Sequence, residues 1–160
     1  MKYFILMLTA LSFQIAQAGN IIGTWQFLEY KYEDKIQPAP NPDLDLRFTF
    51  TEKGEAYLKW FRTDETGFCQ RKADYKIQGD VLWQKVVWLN PNNDMKCGED
   101  PDMQINQETK TKFTVTLDRL NLDIGLQGKS FIYILHAVSG DASVSGDISV
   151  SSDGSRAARR

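Results

Sequence analysis

Two arginines, Arg62 and Arg71, lie close in the chain to Trp60, Tyr75 and Trp88, a grouping whose chemistry is that of binding. A guanidinium pairs with carboxylate or phosphate through a planar fork, and aromatic faces accept an apolar body. Together they suit an amphiphile whose acid group meets the arginines while its remainder enters an apolar cup. An unpaired arginine is costly to bury, so an anionic partner is expected if these residues face inward. The alternative is that they reach solvent at a rim or pair with Asp64 and Glu65.

Other reactive residue types are sparse. Cys69 and Cys97 are the two cysteines, and an even pair in an exported chain is read as a disulfide rather than a metal site or a nucleophile. Asp94, Glu99, Asp100 and Asp102 offer oxygen ligands of the kind that hold calcium, without the spacing of a twelve-residue calcium loop, so an ordinary solvated loop is the competing reading. His136 is the single histidine and has no nucleophilic serine signalled by spacing. A Gly-rich phosphate loop, a His-rich metal motif and a closely spaced carboxylate constellation of a catalytic kind are all missing from the sequence, so the expectation is a protein without catalytic residues, cofactor or metal.

The elements that must carry these residues are strands. Almost every segment past the first twenty residues alternates with period two or is rich in β-branched and aromatic residues, which predicts an all-β domain. Eight strands are expected, over 23–32, 44–51, 55–63, 68–78, 81–89, 111–118, 119–127 and 129–138. The second is the clearest, with Leu44, Leu46, Phe48 and Phe50 on one face and Asp45, Arg47, Thr49 and Thr51 on the other. Gly54 ends a three-residue hairpin loop and Gly79-Asp80 forms a two-residue one. Their registers place Ala56, Leu58, Trp60 and Arg62 inside, together with Cys69, Arg71, Ala73, Tyr75 and Ile77, and with Leu82, Gln84, Val86 and Trp88. Phe113, Val115 and Leu117, then Leu120, Leu122, Ile124 and Leu126, continue the inner face. Trp83, Val87 and Leu89 are left outside as an apolar contact surface. The last strand is apolar on both faces, and its register is not readable from pattern.

Strand direction adds a positional expectation. If the first strand rises from Trp25, the turns at 52–54, 79–80 and 118–119 fall at the Trp25 end, and the long loops 33–43, 64–67 and 90–110 fall at the other. This is an eight-stranded antiparallel up-and-down barrel shaped as a cup, wide enough for packed side chains or one small ligand. Cys69 lies opposite Asn90, so the loop from Pro91 folds back to bring Cys97 near and the bridge staples the mouth.

At the termini, Lys2, an apolar run from Tyr3 to Leu11 and Ala16-Gln17-Ala18 read as a signal peptide cleaved after residue 18. The run is too short to span a bilayer, and no later segment is long and apolar enough to do so. The chain of 160 residues carries a net charge of −2, which becomes −3 when Lys2 leaves with the leader. That mixed, weak charge does not suit nucleic acid. The expected location is secreted or periplasmic. Residues 139–160, rich in Ser, Gly and Asp, read as a disordered tail, with an extra edge strand through Val144, Ile148 and Val150 as the alternative.

Gly23-Thr24-Trp25 at the start of the first strand, in an exported chain with eight up-and-down strands over 23–138, resembles the lipocalins and the wider calycin group. The resemblance implies that Trp25 packs across the closed end and that the cup carries a small hydrophobic molecule. It departs from the family in two places. Lipocalins usually have a late arginine over the tryptophan, and none occurs from 120 to 138; Ala73-Asp74-Tyr75 matches their Thr-Asp-Tyr element only in letters and lies in a different strand. Two functions follow: a binder of a small hydrophobic or amphiphilic molecule, or a filled barrel that meets a protein partner through its mouth loops.

Overall fold

The computed structural model describes residues 20–138; the leader and the tail from 139 onward lie outside the described residues, as do the readings made of them. Among the described residues nine strands form one antiparallel sheet: β1 (Gly23–Tyr32), β2 (Lys35–Pro38), β3 (Leu44–Phe50), β4 (Glu55–Arg62), β5 (Cys69–Gln78), β6 (Val81–Leu89), β7 (Glu108–Val115), β8 (Arg119–Asp123) and β9 (Phe131–Ala137). Pairing of β1 with β9 closes eight of them into a barrel. The ninth, β2, folds back on the upper half of β1, from Glu29↔Pro38 to Tyr32↔Lys35, while the lower half of β1 pairs with β3.

The alternation of β3 becomes the core directly. Phe48 and Phe50 are buried and stack with ring centroids 6.0 Å apart. With Trp25, Phe27, Leu58, Leu82, Phe113, Leu120, Leu122 and Leu135 they fill the lower lumen. Gly54 takes φ +77° and Gly79 φ +62°, the left-handed backbone their hairpin turns require. Trp25↔Phe48 and Gly23↔Phe50 pair beside the 51–54 turn, so the tryptophan sits at the tightly turned end and the long connections lie opposite.

The structure corrects the expected inner face in four places. Between Lys72 and Ala73 the β5–β6 register slips: Ala73 faces Val86, Lys72 faces Trp88, and Val87 is the extra residue. A bulge of one residue reverses the sidedness of everything beyond it. Trp88 is therefore on the outer wall, 39% exposed, beside Tyr57, Lys72 and Asp74. Leu89, assigned outward from the pattern, turns in opposite Arg71. Ile124 and Leu126 are exposed because β8 stops at Asp123, and Leu117 and Ile77 are exposed beyond the ends of the packed lumen. As an outer residue, Trp88→Ser should lower the urea unfolding free energy by less than about 1 kcal/mol, the range of surface substitutions; a larger fall would return Trp88 to the lumen.

The strand missed in the sequence is β2. Its turn uses Glu33 and Asp34 with φ +48° and +60°, residues that carry no glycine signal, and all four of its residues are exposed.

Candidate binding chamber at the barrel mouth

The floor is set by Trp25, whose indole Nε1 donates to the Ile21 carbonyl at 2.8 Å. Going up β3, burial falls off: Phe50 and Phe48 are buried, whereas Leu46 and Leu44, on the same face, are half-buried. Trp60 and Tyr133, also on the lumen side, are half-buried too. Aromatic side chains thus occupy the lower lumen, and the lumen-facing side chains above them are only partly buried.

Two polar side chains face this interior. Arg71 on β5 alternates with buried Cys69 and Ala73 and is 4% exposed. Its Nε and Nη1 are buried and make no hydrogen bond. Burial in apolar surroundings pulls its pKa down, and the carboxylates of Asp102 and then Asp100 act in the opposite direction. Gln84 on β6 is 5% exposed, between Leu82 and Val86, and its Oε1 is likewise buried without a partner. Buried polar atoms are nearly always hydrogen-bonded, so two such groups in one lumen are informative.

The loop after β6 is tied down along β5 at the barrel mouth. Asn93 brackets Gln70, accepting from its N–H at 2.7 Å and donating to its carbonyl at 2.9 Å, which lays the loop along β5. Two 3-10 turns follow, Met95–Glu99 and Pro101–Met103. Asp94 and Asp100 cap them, accepting from the N–H groups of Lys96 and Asp102 at 2.9 Å each. Two of the four carboxylates considered for calcium, Asp94 and Asp100, are in this way engaged with backbone, and among the described residues no group of three or more His, Cys, Asp or Glu is arranged to hold a metal ion.

The Cys69–Cys97 disulfide, with Cα atoms 5.6 Å apart, pins the loop. Met103 is fully buried in one cluster with the bridge, and Trp60 and Leu89 pack against that cluster. Strands β5 and β9 stand four apart in the ring of eight, on opposite sides. Asp100 and Asp102 nonetheless act on both Arg71 of β5 and Tyr133 of β9, where burial chiefly and these carboxylates secondarily raise the phenol pKa. The acidic turn is thus within electrostatic reach of both residues.

Of the five residues expected to bind, the structure brings Trp60 and Arg71 to the chamber. Arg62 sits at the rim, 3.3 Å from Glu65 and with its guanidinium 5.7 Å from the centre of the Trp60 ring, the solvent-side alternative considered from sequence. Tyr75 faces inward but belongs to the floor: its hydroxyl donates to the Thr51 carbonyl at 2.8 Å and its ring meets Phe50 edge-on. Trp88 is outside. Sequence reasoning placed Gln84 in the lumen without assigning it a role, although it is the one polar residue in the Leu82, Gln84, Val86 series. Met103 and Tyr133 carried no signal. His136 lies apart from the chamber, its Nε2 3.1 Å from Glu29 Oε2.

Comparison with solved structures agrees with this architecture. The chain is similar to a lipocalin-like protein from Bacteroides uniformis, with a TM-score of 0.50 and 17% identity over 73% of this chain and 97% of that one. It also aligns with an uncharacterised protein from Bacteroides eggerthii, at a TM-score of 0.48 and 17% identity, over 74% of this chain and all of the other. No family model and no curated protein matches the sequence. The fold is a lipocalin-like barrel. Among the described residues, no helix is long and apolar enough to cross a membrane.

Proposed function

We propose that the protein is an exported, non-enzymatic binder of a small amphiphilic molecule. Its anionic head meets Arg71 and its apolar part lies along Leu44, Leu46, Trp60 and Leu89 in the upper chamber. One observation carries the reading: Arg71 is a buried guanidinium with two unpartnered nitrogens. Such a charge is expensive to hold without a counter-charge, and the carboxylates nearest to it act through space without a hydrogen bond. A ligand carboxylate or phosphate supplies both charge and acceptor oxygens. The disulfide and the lipocalin-like fold support export and a barrel-type binding role.

The test is native mass spectrometry of the purified protein, followed by extraction and identification of retained molecules. The expected result is an acidic amphiphile in near-stoichiometric amount. Ligand-free protein that also fails to take up fluorescent long-chain acids overturns the proposal and leaves the filled-barrel, partner-binding reading in its place.

A further inference from the structure

The upper half of β7 is paired on one side only. Toward β6, Phe113 N–H donates to the Asp80 carbonyl and the Gln107 carbonyl accepts from Val86 N–H, both at 2.9 Å. These bonds assign the odd-numbered residues of β7 to β6 and turn the backbone groups of the even-numbered ones toward β8. Lys112 and Thr114 find partners there, opposite Asp123 and Asn121. Glu108 and Lys110 do not, because β8 stops at Asp123 and the chain runs on into a hairpin with β9, closed by Leu126↔Lys129. Among the described residues this edge has no backbone partner.

Two further features mark the break in the wall. Ile124 and Leu126 keep the parity of Leu120 and Leu122 yet are 47% and 46% exposed, since no strand stands beside them on the β7 side. Lys110 is exposed and, among the described residues, pairs with no carboxylate, whereas Glu108 is held 3.2 Å from Lys85. An open edge of this kind accepts an extended segment through main-chain bonds, with alternate side chains setting its register.

Independently of any ligand, we infer that residues 146–149 of the chain's own tail add to upper β7 as an antiparallel strand, with Asp147 opposite Lys110 and Ile148 opposite Thr109. This register pairs the unmatched lysine with a carboxylate on the outer face. Val144, Ile148 and Val150 share one parity, which falls on the inner side with Thr109, the partner of Gln84, and with Ile124. The reach is sufficient. The described chain ends at the closed end, where Ala137 N–H donates to the Asp118 carbonyl and Val138 N–H to that of Thr24. Thr116, bonded to Arg119 at that end, lies six residues below Lys110, or roughly 20 Å, and two strand spacings add about 10 Å sideways. Residues 139–146 extend to about 26 Å, against a direct path of about 22 Å. A tethered segment also arrives at high local concentration, whereas a second barrel would have to pass the β8–β9 hairpin.

The experiment is amide hydrogen exchange of the full chain followed by nitrogen-15 NMR. The Lys110 amide should exchange at least about tenfold more slowly than an unstructured one, and an α-proton contact should join Thr109 to Ile148. Asp147→Pro removes the N–H that faces Lys110 and should return its exchange to the unprotected rate, while the Phe48 amide in the core stays unchanged. A Lys110 amide that exchanges freely in the native chain overturns the inference, as does protection that survives Asp147→Pro. Protection that grows with protein concentration assigns the edge to a second copy and overturns it too.

Discussion

Arg71→Met should weaken binding of an acidic amphiphile by about 30-fold or more, while the ligand-free variant becomes as stable as the native protein or more so. The two halves have one cause. A ligand anion held by a buried guanidinium loses its partner in the variant, and truncating one member of a buried charged pair costs about 2–5 kcal/mol of binding, with about 1.4 kcal/mol for each tenfold change in Kd. In the empty protein the same guanidinium is desolvated and makes no hydrogen bond from Nε or Nη1. Replacing buried charge with an apolar side chain of similar shape is often neutral or stabilising by about 1–4 kcal/mol. Titration calorimetry and urea unfolding read the two quantities separately. Arg71→Lys serves as the intermediate case, keeping the charge without the planar fork. A variant that binds as before, or that is markedly less stable when empty, would mean that Arg71 is a structural residue.

The second large effect is expected from removing the mouth staple. The Cys69→Ala, Cys97→Ala double variant opens a loop of 28 residues in sequence separation. The chain-entropy treatment assigns about 3.5 kcal/mol to closing a loop of this length. With a urea dependence of about 1–3 kcal/mol per molar, the midpoint should fall by roughly 1–3 M. The local consequence is more specific than the global one. Met103 is seated against the bridge together with Trp60 and Leu89, so the acidic turn should loosen from the mouth. Hydrogen exchange is then expected to accelerate across 94–104 before it does in β3 and β4. An unchanged midpoint, or exchange that rises evenly through the barrel, would contradict this account.

The parts of this arrangement readable from sequence are those in which local chemistry and tertiary position agree. Leu44 to Phe50 alternates without interruption, Gly54 and Gly79 meet the backbone demand of their turns, and the direction of the strands then puts Trp25 at the closed end and Cys97 near Cys69. The parts that were not readable are degenerate in one-dimensional terms. Val86, Val87, Trp88 and Leu89 are all apolar, so neither sidedness contradicts the pattern, and a single extra residue decides it. Ile124 and Leu126 continue an alternation past the point where pairing with β9 ends. Arg62 and Arg71 look alike in pattern. What separates them is the 90–107 loop, which covers one, and Glu65, which takes the other to the rim. Burial of that kind depends on a long connection whose path has no periodicity to read.

The bulge at Val87 also decides which side chains the upper lumen receives. Strand β6 behaves as two half-strands in opposite phase, joined by one residue. In the unbroken phase, an indole would project into the lumen at the level where the guanidinium of Arg71 now lies; in the shifted phase the smaller Leu89 projects there and the indole goes to the outer wall. A length change of a single residue, with no change in the composition of the strand, is enough to exchange an indole for a leucine at that level of the lumen. In a barrel of this architecture, the side chains presented to the upper lumen can therefore be exchanged by insertion or deletion while every core side chain below keeps its identity.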